Sequence, residues 1–213
     1  MVKEELLLFG AGGHCRSCID VIEQGTDFWI LGVVERPNAV HEPRFLSSEP
    51  LGYPIIGTEE KLERIRETCR NALITVGQIK SVSIRLSVYE RLKKLDFRLP
   101  TVVSPLAHVS PHATVGEGTI VMHHAVVNAG ATVGRGCILN SKSLVEHDAT
   151  VGDYTHISTA AVVNGGVTVG ARSFVGSHAT VVHDVRLSDD LFCRAGALVK
   201  STADATPMNN DTA

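Results

Sequence analysis

With 213 residues, a net charge of −3 and a pI near 6.4, the chain has room for one large or two small domains. It lacks the basic excess that a nucleic-acid or anionic-membrane surface needs. No stretch approaches 18 apolar residues and Met1-Val2-Lys3-Glu4-Glu5 does not resemble a signal peptide, so a cytoplasmic protein without membrane insertion is expected. The five cysteines are odd in number and scattered, which argues against a disulfide framework.

Charge divides the chain: residues 1–102 carry 28 Asp, Glu, Lys and Arg, and residues 103–199 carry only 12. The first part alternates strand and helix patterns and predicts a small α/β domain with a parallel sheet. Leu6–Phe9 reads as a buried strand, followed by Gly10-Ala11-Gly12-Gly13-His14 and a helix to about Gln24. Trp29–Val34 is a second strand and Ile55-Ile56 a short third. Thr58 is expected to cap a helix over Glu59–Arg70, with Leu62, Ile65 and Cys69 on one face. Ala72–Val76 reads as a strand, and Ser81–Leu95 as a helix with Ile84, Val88, Leu92 and Leu95 inward. Pro100 marks the boundary, giving a first domain of residues 1–100, a second of 101–200 and a tail of 201–213.

From Val103 to Val199 every sixth residue is aliphatic, with Cys193 the single exception. A parallel β-helix has this period, because each short strand contributes one inward residue and then turns a corner. A second, mostly small residue lies two positions earlier, as at Ala107, Ala113, Thr119, Ala125 and Ala131. Gly or Asn follows the aliphatic position in half of the hexads: Gly116, Asn128, Gly134, Asn140, Gly152, Asn164, Gly170 and Gly176. These residue types tolerate positive φ and are expected to form the corners.

Several residues carry chemistry. Gly10-x-Gly12-Gly13 sits between a strand and a helix, where glycines admit a phosphate and the helix N-terminus supplies N–H groups. Glu35 ends the second strand 23 residues after Gly12, near the offset at which an acid grips a ribose hydroxyl. A domain this small is one mononucleotide half, so a nucleoside diphosphate fits better than NAD. Cys15-Arg16-Ser17-Cys18 has no second CxxC and suits two small residues facing a sheet. Glu146-His147-Asp148 puts an imidazole between two carboxylates, with Asp148 able to orient the ring and raise its basicity. His156 lies half a coil further on, Asn140 seven residues earlier, and His123 and His183 share the hexad slot of His147. Gly165, between His147 and His183, is expected to leave a shallow notch.

In these motifs the chain resembles the bacterial nucleotide-sugar N-acetyltransferases that acetylate a 4-amino sugar, and equally the related sialic acid O-acetyltransferases. The resemblance rests on Leu7-Leu8-Phe9-Gly10-Ala11-Gly12-Gly13-His14, Pro54-Ile55-Ile56-Gly57-Thr58, Val145-Glu146-His147-Asp148 and His156. It implies a small Rossmann-like domain holding the nucleotide sugar, then a left-handed parallel β-helix of hexapeptide repeats that assembles as a homotrimer. It implies acetyl-CoA as co-substrate, no metal, and a role in surface-glycan synthesis. By the same resemblance, His147 is the general base with Asp148 behind it. His156, Ser177 and Ala195 contact acetyl-CoA. Gly12, Gly13, His14, Glu35, Arg36, Gly57 and Asn140 line the substrate pocket. The chain departs from the family pattern at Glu35-Arg36, where paired Asp is common, and at Gly77-Gln78, where Gly-Asn is common. The tail Ala205-Thr206-Pro207-Met208-Asn209 also lacks the usual Gly-x-Pro-Ala-Lys ending.

The reading that follows is transfer of acetyl from acetyl-CoA to an amino group of a nucleotide-linked sugar, of the 4-amino-4,6-dideoxy kind. Three rivals stay open. O-acetylation of a sialic-acid-like sugar would want a more basic site, which Arg16 and Arg36 allow. Zinc-dependent hydration of the γ-carbonic-anhydrase kind needs three converging histidines. A non-catalytic sugar-nucleotide binder would leave Glu146-His147-Asp148 without a role.

Overall fold

The structure, a computed structural model, describes residues 3–37 and 49–208. Asn209 and the rest of the tail lie outside the described residues. The chain forms two compact units, one of residues up to Gly77 with Ile84–Pro100, the other of Gln78–Ser83 with Thr101 onward. The segment Gln78–Ser83, expected within the first domain, therefore belongs to the second unit.

The first unit is a parallel sheet of β1 (Glu4–Phe9), β2 (Phe28–Glu35), β3 (Ile55–Thr58) and β4 (Asn71–Ile74) in the order β3-β2-β1-β4. Leu6 to Phe9 are all fully buried, which is why β1 is continuously apolar rather than alternating. Helix α1 (Gly13–Glu23) buries Cys15, Cys18, Ile19 and Ile22, an i, i+3, i+4, i+7 stripe.

Two expected helices differ. The Thr58 side chain makes no capping bond; a 3₁₀ turn at Glu59–Lys61 leads into a short α2 (Leu62–Arg66). Both the hydroxyl and the N–H of Thr68 turn back to the Ile65 carbonyl, closing the helix before Arg70. Helix α3 (Ser83–Lys94) buries Arg85, Val88, Tyr89 and Leu92, so its inward stripe starts at Arg85 and not at Ile84. The Arg85 guanidinium is accommodated because Nη1 donates to the carbonyls of Val76 (2.7 Å) and Ile74 (3.2 Å).

The second unit is a parallel β-helix. Two-residue strands stack into three walls, each pairing with the residue 18 positions on, as in Ile138↔His156 and Leu144↔Val162. Hexad residues point inward, and from Val121 to Val199 all are buried. The outward residues differ by wall. The first carries Ile120, Ile138, His156 and Phe174, all buried. The second carries Val126, Leu144, Val162 and Thr180, partly exposed, and the third Thr114, Thr132, Thr150 and Thr168. The last strand, Thr206–Pro207, pairs antiparallel with Leu191–Phe192 and closes the end of the first wall.

The corners correct an expectation. The positive-φ residue lies three positions after the hexad residue, at every corner from Gly118 to Gly196. Nine of these positions hold His124, Lys142, Asp148, Tyr154, Ala160, Arg172, His178, Asp184 and Asp190. A left-handed non-glycine residue costs about 1–2 kcal/mol, less than the roughly 1.5–3 kcal/mol of each fully buried aliphatic side chain. Burial therefore sets the corner, whatever residue stands there. The glycines directly after the hexad residue serve close approach instead. A Cβ on Gly152 would strike the Ala171 nitrogen, and one on Gly170 the Ser188 carbonyl carbon. Asn128 and Asn140 occupy the same slot by accepting the next residue's N–H at Oδ1.

Candidate active site

His147 and Asp148 form the turn between the second and third walls. Asp148 takes the left-handed position, with φ of 59°. The imidazole Nδ1 donates to Asp148 Oδ2 at 2.9 Å. A carboxylate can only accept from a neutral ring, so the proton sits on Nδ1 and Nε2 carries the free lone pair. The side chains are 61% and 74% exposed. The hydrogen bond to Asp148 raises the His147 pKa above its usual 6.5, and the charges of Asp148, Glu146 and Asp184 add to this. Glu146 does not touch the ring: its Oε2 accepts from the His147 main-chain N–H (3.1 Å) and from Asn128 Nδ2 (2.9 Å), which fixes the turn.

Gly165, one coil on, is what lets the ring lie flat. A Cβ there would come within 2.7 Å of both Cε1 and Nε2 of His147. The notch expected at Gly165 is thus the seat of the imidazole. Gly130 does the same for Asp148, since a Cβ there would meet its Oδ1. His183 is exposed at the same corner two coils on, whereas His123 lies at the corner of the first and second walls and contacts Ser104 Oγ through Nδ1 (2.7 Å).

Within one chain His156 is not beside His147. It is buried on the first wall, edge-on to Phe174 with ring centroids 5.1 Å apart. Its Nδ1 contacts the Gln78 carbonyl at 2.5 Å, and its Nε2 contacts Asn140 Nδ2 at 3.2 Å. Asn140, expected in the substrate pocket, therefore groups with the acetyl-CoA candidates. Ser177 and Ala195 stack at the corner of the first and second walls. Ser177 Oγ bonds Ser158 Oγ at 3.0 Å and its carbonyl accepts from the Gly196 N–H, while Ala195 is exposed.

The remaining candidates sit at the carboxyl edge of the first unit's sheet, where open α/β sheets take ligands. Gly12 is the N-cap of α1 with extended backbone (φ −71°) and no side-chain cap hydrogen bond. The glycine whose conformation the turn requires is Gly10, at φ 108° against Val76. His14 lies over Gly77, at 3.5 Å from the Cβ position there. Glu35 is buried and accepts from the Ala11 N–H at 2.6 Å and the Arg36 N–H at 2.7 Å, so it organises the loop. Arg36 keeps a buried Nε with no hydrogen-bond partner among the described residues. Gly57 pairs with Val34 and leaves space for the Lys61 side chain.

Sequence reasoning missed the interior role of Gln78, which is only 3% exposed. A single polar residue between a strand and a helix carries no periodic signal of burial. The CxxC is structural: both thiols are buried, and burial pushes Cys15 up to about 11 and Cys18 well above 9.0. Among the described residues no three His, Cys, Asp or Glu side chains group as a metal site, and no helix is long and apolar enough to cross a membrane.

Known proteins share this arrangement. Residues 5–92 match the PglD N-terminal domain. The acetyltransferase domain of PglB from Neisseria gonorrhoeae, solved with acetyl coenzyme A, is 26% identical over 96% of this chain and 99% of that one, with a TM-score of 0.82. PerB from Caulobacter crescentus, solved with CoA and GDP-perosamine, is 26% identical over 96% and 97%, also at 0.82. WeeI from Acinetobacter baumannii, 16% identical over 96% and 100% at a TM-score of 0.68, shares the fold. The β-helix is accordingly of the left-handed type. With residues 5–92 matching the PglD N-terminal domain and nearly the whole length similar to PglB and PerB, the chain is an acyltransferase of the left-handed β-helix type.

Proposed function

We propose that the protein acetylates the amino group of a nucleotide-linked 4-amino sugar, using acetyl-CoA and His147 as general base in the cytoplasm. The observation that carries this is the exposed His147 ring, held by Asp148 with its Nε2 lone pair outward. His147 takes a proton from the amine as the nitrogen adds to the thioester carbonyl. The tetrahedral intermediate then collapses with loss of the CoA thiolate, and His147 returns the proton to that sulfur. A main-chain N–H of a facing coil serves the oxyanion. The glycine loop and α1 N-terminus receive the diphosphate of the sugar nucleotide, and GDP-perosamine bound to PerB supports this substrate class.

The site is completed by a homotrimer. The second wall presents Val126, Leu144, Val162 and exposed Leu198, an apolar strip fit for burial against copies of itself. When three such walls face a common axis, each wall's two edges meet the opposite edges of its neighbours. His147 lies at one edge, and Asn140, Ser177 and Ala195 lie at the other. Cyclic closure thereby brings the base of one protomer to the acetyl-CoA groups of the next.

Thiol release from acetyl-CoA, measured across UDP-, GDP-, dTDP- and CMP-linked amino sugars, tests the reading. One amino-sugar nucleotide should support turnover, and His147→Ala should lower kcat by about 10²–10⁴-fold with little change in acetyl-CoA affinity. Near-normal turnover in that variant would remove the mechanism.

A further inference from the structure

The contacts of His156 with Asn140 and with Gln78 share one consistent set of directions. Asn140 Oδ1 accepts from the Ser141 N–H at 2.8 Å, which orients the carboxamide so that Nδ2 faces His156. Nδ2 donates, so His156 Nε2 must be the acceptor and carry no proton. On the other side Nδ1 meets the Gln78 carbonyl oxygen, which can only accept, so the ring proton sits on Nδ1. A doubly protonated ring would set N–H against N–H at Asn140.

Gln78 is itself pinned. Its Nε2 donates to the Tyr154 carbonyl at 2.9 Å and approaches the Ser173 carbonyl at 3.4 Å, so it grips two successive coils of the first wall. Its Oε1 is buried and has no partner among the described residues. Leaving a buried acceptor unsatisfied offsets part of what the two Nε2 donations contribute. Turning the amide over would only aim Oε1 at two carbonyl oxygens.

We propose that Gln78 is a positioning residue for acetyl transfer: it holds His156 as the neutral Nδ1–H tautomer, and His156 in turn fixes the Asn140 carboxamide at the acetyl-CoA edge of the site. The mechanical part of this stands on the geometry; its value to the reaction rests on the acetyl-transfer reading above. His156 then has no proton to offer from Nε2 and does not duplicate His147 as an acid or base. It serves as a fixed acceptor for Asn140.

Nitrogen-15 NMR of the histidine rings, assigned with His156→Gln, reads the tautomer directly and needs no ligand. The expected result for the intact protein is protonated Nδ1 and bare Nε2 at neutral pH. Gln78→Ala and the isosteric Gln78→Glu, which cannot donate to Tyr154 and Ser173, should both convert His156 to a mixed or Nε2–H form. Both should raise the KM for acetyl-CoA about 5- to 10-fold, the size of one or two net hydrogen bonds, with the KM for sugar nucleotide unchanged. An Nε2–H or imidazolium His156 in the intact protein would overturn the proposal. So would an unchanged Nδ1–H pattern in folded Gln78→Ala. Should the intact protein show the Nδ1–H ring yet release no thiol, the tautomer lock stands and the acetyl-transfer reading falls.

Discussion

Replacing Gly165 by Ala should damage the base without touching it. The added methyl would lie 2.7 Å from both Cε1 and Nε2 of His147, whereas ordinary contact begins at 3.4 Å, so the ring must retreat by about 0.7 Å. The backbone of Gly165 is outside the left-handed region, and the atoms it would strike are the end of an exposed side chain. Folding should therefore survive, and thermal unfolding should be close to that of the parent. A misplacement near 1 Å in a reacting group costs up to about 10²-fold, so kcat should fall about 10- to 100-fold with substrate affinities kept. Thiol release at saturating substrates measures this. The decisive comparison is Gly165→Ala combined with His147→Ala. Because the first acts only through the second, the pair should be no slower than His147→Ala alone. An unchanged kcat in Gly165→Ala, or a further loss in the pair, would refute the seat assigned to the imidazole.

Two other outcomes are expected. The His147 pKa is raised, so its base form is lost as pH falls, and kcat should climb through a pKa above 6.5 and then level off. Asp148→Asn removes the carboxylate responsible, so the same limb should move to lower pH and the plateau should drop by less than in His147→Ala; a limb that does not move would clear Asp148 of the role. Light scattering should give a mass of about three times 22.8 kDa, and Leu144→Glu on the second wall should abolish both the trimer and turnover. A monomer that retains turnover would contradict the shared site.

Much of the second unit was legible because its determinant is local and periodic. A residue at each sixth position must be apolar if it is to fill the interior, and the pattern from Val103 to Val199 says so without any knowledge of contacts. The corner turn Glu146-His147-Asp148 was equally plain, since neighbours in sequence stay neighbours in a turn. Even the division of His123 from His147 follows from a coil of 18 residues: they are 24 apart, and so stand at different corners.

Where backbones meet across coils, the sequence is silent. Gly116, Gly152 and Gly170 looked like turn formers, yet the next coil's backbone is what excludes a side chain there. Meanwhile Tyr154, Arg172 and Ala160 hold left-handed corners that local preference would deny them. Arg85 falls in an apolar helical slot because two strand-end carbonyls accept its protons. Gln78 reaches Tyr154, Ser173 and His156 across some 80 residues of chain. Period and strand type depend on each residue and its near neighbours, and these the sequence determined by itself. Which donor finds which carbonyl, and which glycine yields to another coil, depends on atoms brought together only when the chain closes on itself, and the tertiary structure alone decided them.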